Sequence, residues 1–415
     1  MKKLLVCLLS ALLLGGVAFS ATACAPRGET LKILTWLEYI DEDYIKENFP
    51  AFFAEHTGGK ISKIVVDTFE NNEDLYPQIA TSKKDYDIIC PSDYLAERMI
   101  KEGLLKAIDK TIVTGYADLD PAILAKVAEF DVGKTYSFPY AWGTFGIMYN
   151  TSHGVTADDV NSWDALWNPE FQKHIVMRDA SRDAFVAANI RHNRDALLNA
   201  KNNNPGGYGS TAYQSLLKTM FTSSDDQTIA DVKGELIQQQ SIFYKYGGEE
   251  TKEWFQDNDP NASLGLYWSC DAGTTMPDNT NLRYSLPEEG ANFYTDCYAI
   301  STYAKNPTAA QWFLQFMTDT DAAYANMVAS GAPCAVTAAN DLFRSEFEET
   351  FDDEYADGLF DSAEDKADFL DNFLNTVMFP DAETLLRCGV MRDYGDRNHL
   401  VEQAFIDVKD AQVNK

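Results

Sequence analysis

Histidine is scarce and scattered in this chain. There are five among 415 residues, at His56, His153, His174, His192 and His399. No Cys/His cluster has zinc spacing, and neither G-x-S-x-G nor H-E-x-x-H occurs. His192 falls on a polar helix face with Arg191 and Arg194, which predicts exposure to solvent. "VGKTY" at Val132–Tyr136 imitates a phosphate loop, but Ala128 stands where the leading Gly is required. The acidic run "ETFDDEYADG" lacks the ligand spacing and Gly of a calcium loop. Paired carboxylates can do acid/base work, but nothing in the spacing fixes a pair. No enzyme, metal or cofactor is therefore expected.

Basic residues are also few, 34 against 64 acidic ones, for a formal charge of −30. Such a surface repels nucleic acid and anionic lipid and draws in cationic solutes, so no nucleic-acid partner is expected. Solubility alone also accounts for the charge. Cysteine gives no framework: beyond Cys7 and Cys24 five remain, an odd number without C-x-x-C. That suits an organism living without oxygen and leaves one or two bridges open. There is no repeat and no low-complexity linker. At 45% hydrophobic the chain is long enough for a sizeable core in two domains.

What is present begins with "MKKLLVCLLSALLLGGVAFSATAC". Lys2 and Lys3 precede an apolar run from Leu4 to Leu14, broken by Gly15 and Gly16. The run is too short to span a bilayer and reads as a secretory signal over 1–23. "ATAC" before "APRGET" resembles a bacterial lipobox, which would make Cys24 a lipidated first residue tethering a soluble domain to a membrane face. Simple cleavage after Ala23 is the alternative. Either way the protein is expected outside the cytoplasm, lipid-anchored or periplasmic.

After a spacer, strand and helix signals alternate. "LKIL" is a strand, and "DEDYIKENFPAFFAEHTGG" an amphipathic helix capped by Asp41, kinked at Pro50 and ended by Gly58. "KIVVDTF" and "YDIICPS" are strands, each followed by a helix. This βαβαβ series predicts an α/β fold with parallel-rich sheets flanked by helices. Further on, "VNSWDALWNPEFQ" and "DAFVAANIRHNRDALLNA" read as helices, and "HIVMRD", "SLGLYW", "RYSLP" and "DCYAIST" as strands. Two extended runs, near 137–149 and 293–301, suit strands crossing between two lobes, the second returning the chain to the first lobe. The segment from Asp341 to Thr376 is acidic and helical, and "HLVEQAFIDVKDAQ" is an amphipathic helix.

In parallel α/β sheets ligands bind beyond the carboxyl ends of strands, and five strand ends here carry aromatics or carboxylates. The first has Trp36, Glu38 and Tyr39, and the third Ser92, Asp93 and Tyr94. "IVMRDASRD" ends in Asp179 and Asp183, "SLGLYWSCD" in Trp268 and Asp271, and "NFYTDC" offers Tyr294 and Asp296. Singly each has a plain structural use: Asp as a helix N-cap, a ring as rim packing, Glu38 as a solvated charge. Brought together, they would bind a flexible organic cation. Carboxylates neutralise its ammonium groups, and rings cover its methylenes at roughly 0.5–2 kcal/mol per cation–π contact.

At these residues the chain resembles the bacterial spermidine/putrescine-binding proteins, the substrate-binding components of polyamine ABC importers. The resemblance runs from about Leu31 to the C-terminus. It rests on "TWLEYI", "YDIICPSDYLAERMIKEGLLKAIDK", "FPYAWGTFGIMYN", "SWDALWNPEF", "LGLYWS", "FYTDCYAI" and "FPDAETL". It implies a two-lobed periplasmic binding protein-like fold of type II with a hinge of crossing strands. The expected parts are 31–141 as the start of lobe 1, 142–298 as lobe 2 and 299–330 as the return to lobe 1. Residues 24–30 would be the lipidated Cys and spacer, and 331–415 a helical segment packing on the lobes. The implied ligand is a polyamine, the implied partner an ABC permease, and the protein a monomer. The implied site is Trp36, Glu38, Tyr39, Ser92, Tyr94, Trp268, Tyr294 and Asp296, with either Asp183 or Asp179 from "RDASRD". The chain departs from the family's pattern at Ala332, where a Tyr can stand, and at Met391, where a Gln is expected. The acidic stretch around 354–376 looks like an insertion. The same fold with ferric iron or a quaternary ammonium compound is the alternative.

Overall fold

The computed structural model describes residues 28–248, 250–353, 359–360 and 362–413. The signal segment 1–23, Cys24 and the start of the acidic stretch lie outside the described residues.

Eleven strands among them form one sheet: β1 Glu29–Trp36, β2 Ile61–Phe69, β3 Ile88–Ile89, β4 Leu105–Lys106, β5 Phe138–Asn150 and β6 Ile175–Arg178, then β7 Lys245–Gly247, β8 Leu264–Trp268, β9 Leu282–Ser285, β10 Ala291–Ser301 and β11 Cys388–Val390. The main order is β2-β1-β3-β10-β5-β8-β6-β7. At one end β1 pairs in parallel with both β2 and β3. At the other, β6 pairs in parallel with β7 and β8. Between these two parallel sets run β5 and β10, antiparallel to one another. Every residue of both is buried, which is why their sequences are rich in apolar and aromatic residues on both faces rather than alternating with exposed charges. The fold is thus two-lobed, with the long strands as the connection.

Local chemistry sets the first elements. Leu31, Ile33 and Leu34 of β1 are fully buried. The helix Glu42–Thr57 starts where the Asp41 carboxylate accepts the Tyr44 N–H at 2.9 Å, and ends at Gly58 with φ 69°. It buries Ile45, Phe49 and Phe53 and carries Pro50 inside. Helices Asn72–Ala80 and Asp93–Lys101 follow β2 and β3.

Some elements differ from the sequence reading. "DAFVAANIRHNRDALLNA" is two helices, Ser181–His192 and Arg194–Asn203, broken at Asn193. "VNSWDALWNPEFQ" is two short 3₁₀ turns, Trp163–Trp167 and Pro169–Phe171, because Ser162 and Asn168 each accept the N–H two residues on and Pro169 has none to give. "YDIICPS" forms a strand only at Ile88 and Ile89, with an isolated bridge from Ser92 to Asp296. Helices Thr211–Thr222 and Asp226–Gln239 add cover to the second lobe.

In the acidic region, Phe347 of the helix Thr337–Asp353 stacks its ring at 4.3 Å on Phe373, which opens the turn after the helix Ala363–Asn372. Arg283 of β9, fully buried, reaches Asp368 at 2.7 Å and Asp365 at 2.8 Å. A second ionic tie joins the helix Asp93–Lys101 to the chain after β11. Arg392 binds Glu97 at 2.7 and 3.0 Å, and Lys101 binds Asp393 at 3.1 Å. Cys90, Cys270, Cys297, Cys334 and Cys388 are all free thiols. Among the described residues no helix is long and apolar enough to cross a membrane.

Candidate functional site

Beyond the carboxyl ends of the two parallel sets lies a cleft of about 370 Å³. All ten residues singled out from the sequence line it: Trp36, Glu38, Tyr39, Ser92, Tyr94, Asp179, Asp183, Trp268, Tyr294 and Asp296. Ten carboxylates and three basic side chains share its wall, and no histidine does. The excess of negative charge is therefore local as well as global.

Asp296 sits at the centre. It lies on β10 at a register shift against β5, between Asp296 and Cys297; such bulges re-aim a side chain. Its carboxylate accepts the Tyr39 hydroxyl at 2.8 Å and the Ser92 hydroxyl at 2.5 Å. Neither partner is a cation. Burial pushes the carboxyl up to about 6, against these two hydrogen bonds. Tyr39 reaches it because β1 ends at Trp36 and the chain turns through Glu38, which adopts a left-handed φ of 51°. The Ser92 N–H is fixed by the Asn72 side-chain oxygen at 3.2 Å, and Asn72 also donates to the Tyr94 hydroxyl at 3.0 Å. Asp93 is buried next to Ser92, and burial raises its carboxyl well above the usual range.

The opposite wall comes from the second lobe. Asp183, in the first turn of the helix Ser181–His192, accepts the Trp268 indole N–H at 2.9 Å. Burial pushes it up to about 7, although Arg178 and Arg182 pull it down. Asp179 instead turns outward and pairs with Lys409 at 2.7 Å. The two candidates in "RDASRD" are thereby separated: one is buried toward the cleft and the other tied to a lysine at its rim. Trp268 meets Trp36 edge to face, ring centroids 6.2 Å apart at 71°, and the Arg178 guanidinium lies 4.4 Å from the Trp268 ring. Tyr294 fits over β5 because its partner there is Gly143; a Cβ at that position would stand 2.5 Å from the Tyr294 hydroxyl.

Sequence reasoning missed several wall residues. Arg182 lies 4.4 Å from the Tyr94 ring centroid. Lys252 comes from the short helix Glu250–Gln256. Glu402, Phe405, Ile406 and Lys409 come from the C-terminal helix. The amphipathic pattern of that helix was readable, but nothing in it told which cleft it would border. Met391, noted as a departure, is indeed on the wall; Ala332 is not.

An anionic, ring-walled slot suits a ligand with N–H donors and methylenes. Asp183 and Asp296, buried wall carboxylates with no hydrogen-bonded cation, are acceptors that a protonated amine satisfies and a quaternary ammonium does not. Among the described residues no group of three His, Cys, Asp or Glu side chains could hold a metal ion. Burial pushes the Cys270 thiol at the wall far up, so it offers no thiolate nucleophile.

Comparison with known proteins adds to the geometry. The model of the bacterial extracellular solute-binding protein family matches residues 50–354. A spermidine/putrescine-binding periplasmic protein of Salmonella typhimurium is 28% identical over 401 residues, 95% of this chain and 96% of that protein. The putrescine-binding periplasmic protein PotF of Escherichia coli is 26% identical over 327 residues, 75% of this chain and 80% of that protein. Among solved structures, the spermidine/putrescine ABC transporter substrate-binding protein PotD of Streptococcus pneumoniae matches with a TM-score of 0.65 at 25% identity. That match covers 93% of this chain and 100% of the other.

Proposed function

The chain belongs to the bacterial extracellular solute-binding proteins, and from that premise we propose that it captures a polyamine, spermidine or putrescine, and delivers it to an ABC permease. The observation that carries this is that Asp183 and Asp296, buried carboxylates hydrogen-bonded only to an indole and to hydroxyls, line one cleft together with Trp36 and Trp268. A protonated amine at each would add a hydrogen-bonded countercharge, and the wall rings would cover the methylenes. The names of the relatives support the ligand class. The role is binding rather than catalysis.

Capture is a closure. Trp36, Tyr39, Ser92 and Tyr94 come from one lobe and Asp183 and Trp268 from the other, so a ligand touching both favours the closed state by the contacts that only that state provides. The lipobox-like sequence before Cys24 supports a lipid tether. Cys24→Ala should release the protein from the membrane fraction.

The direct test is a thermal-shift panel on residues 28–415. Putrescine or spermidine should raise the melting temperature in a saturable way, while choline and ferric citrate should leave it unchanged and the protein colourless. Indifference to every diamine and triamine would end the proposal, and an iron-coloured, iron-stabilised protein would replace it.

A further inference from the structure

One cation in the cleft belongs to the protein itself. Lys252 lines the wall, its side chain only 17% exposed, with its ammonium 3.9 Å from Glu38 and 3.8 Å from Asp271. Glu38 belongs to the β1 turn of the first lobe and Asp271 to the helix after β8 in the second. Lys252 therefore bridges the lobes at one end of the slot in the manner of a ligand's own terminal amine. Asp271 is further matched by Arg178 at 3.9 Å.

Resting on the polyamine reading, we infer that Lys252 is a specificity-determining residue: a tethered ammonium that fills one end of the cleft and limits the site to ligands with two ammonium centres. The remaining wall carboxylates bear this out. Asp179 is taken by Lys409, Glu70, Glu73 and Asp74 are exposed, Glu402 is half-buried on the C-terminal helix, and Asp93 accepts the Tyr94 N–H of its own helix at 2.7 Å. Asp183 and Asp296 are left for two amines. A third amine extending toward Glu38 meets Lys252, and like charges held close in a desolvated site cost several-fold to many-fold in affinity.

The experiment is calorimetry at fixed ionic strength with putrescine and spermidine, on the natural chain and on Lys252→Met. The natural chain should bind putrescine at least about ten-fold more tightly than spermidine. In Lys252→Met, spermidine should gain at least about ten-fold while putrescine changes by less than about three-fold. Tighter binding of spermidine by the natural chain overturns the inference, as does a variant in which both ligands shift by the same factor. Lys252→Gln, which keeps a polar group there, should behave as Lys252→Met does; the ranking in the natural chain decides even if neither variant folds. Failure of the natural chain to bind either amine is a different result, and it removes the polyamine reading itself.

Discussion

Replacing Asp296 by Asn removes one negative charge from the centre of the cleft while keeping the shape. In the natural protein two hydroxyls, from Tyr39 and Ser92, point at that carboxylate. An Asn oxygen can still accept one of them, and the other hydroxyl can rotate to a new acceptor. The ligand-free protein thus loses little, and it is relieved of desolvating a charge. The complex loses more, because removing one partner of a buried, hydrogen-bonded charge pair costs about 2–4 kcal/mol. At about 1.4 kcal/mol per decade this is roughly 30- to 700-fold in Kd. Calorimetry with putrescine measures the loss, and urea unfolding of the ligand-free protein checks that stability holds within about 1 kcal/mol. An unchanged Kd would take Asp296 out of the ligand's reach. A matching loss of stability would show that the carboxylate serves the fold instead.

Binding should also depend on pH, since burial holds Asp183 near 7 and Asp296 near 6. An amine binds their ionised forms, so affinity should fall as pH drops through about 7 to 6, with protons released on binding; titrations in two buffers of different ionisation heat would read this. The sign for the ligand-free fold is opposite: what these two groups contribute is present below their unfolded value near 4 and lost as pH rises through about 6 to 7. Trp268→Ala removes both a ring face and the N–H on Asp183, and should weaken amine binding by about 1–3 kcal/mol; an effect under two-fold would contradict its role. Arg392→Met takes two guanidinium bonds from Glu97, which is only 7% exposed and keeps Lys101 at 3.2 Å, and should lower stability by about 1–3 kcal/mol in urea unfolding. A chain of residues 28–415 should titrate five thiols once denatured, and its melting temperature should not change with reductant.

Much of the site was legible because function breaks local rules. A strand that ends in Trp36, Glu38 and Tyr39 has put rings and a charge where a turn needs neither, and a largely apolar and aromatic 13-residue strand such as Phe138–Asn150 has no place in a half-exposed sheet. The choice between Asp179 and Asp183 was not legible, since both follow the same strand and only the docking of Lys409 from the far C-terminus separates them. Lys252 was invisible for the same reason: its helix is seven residues long, and its meaning comes from Glu38, distant in sequence. The break at Asn193 and the turns around Trp163 were misread because short polar side chains there compete for backbone N–H groups.

The position of Asp296 on β10 has a consequence for the order of events. That strand is shared by both jaws, so its central charge rides on the axle and keeps its place however wide the mouth stands. On the proposed polyamine reading a drifting amine would meet this fixed post first, while the two halves are still apart, and the swing that follows would need only to bring Asp183 and Trp268 to a guest already moored.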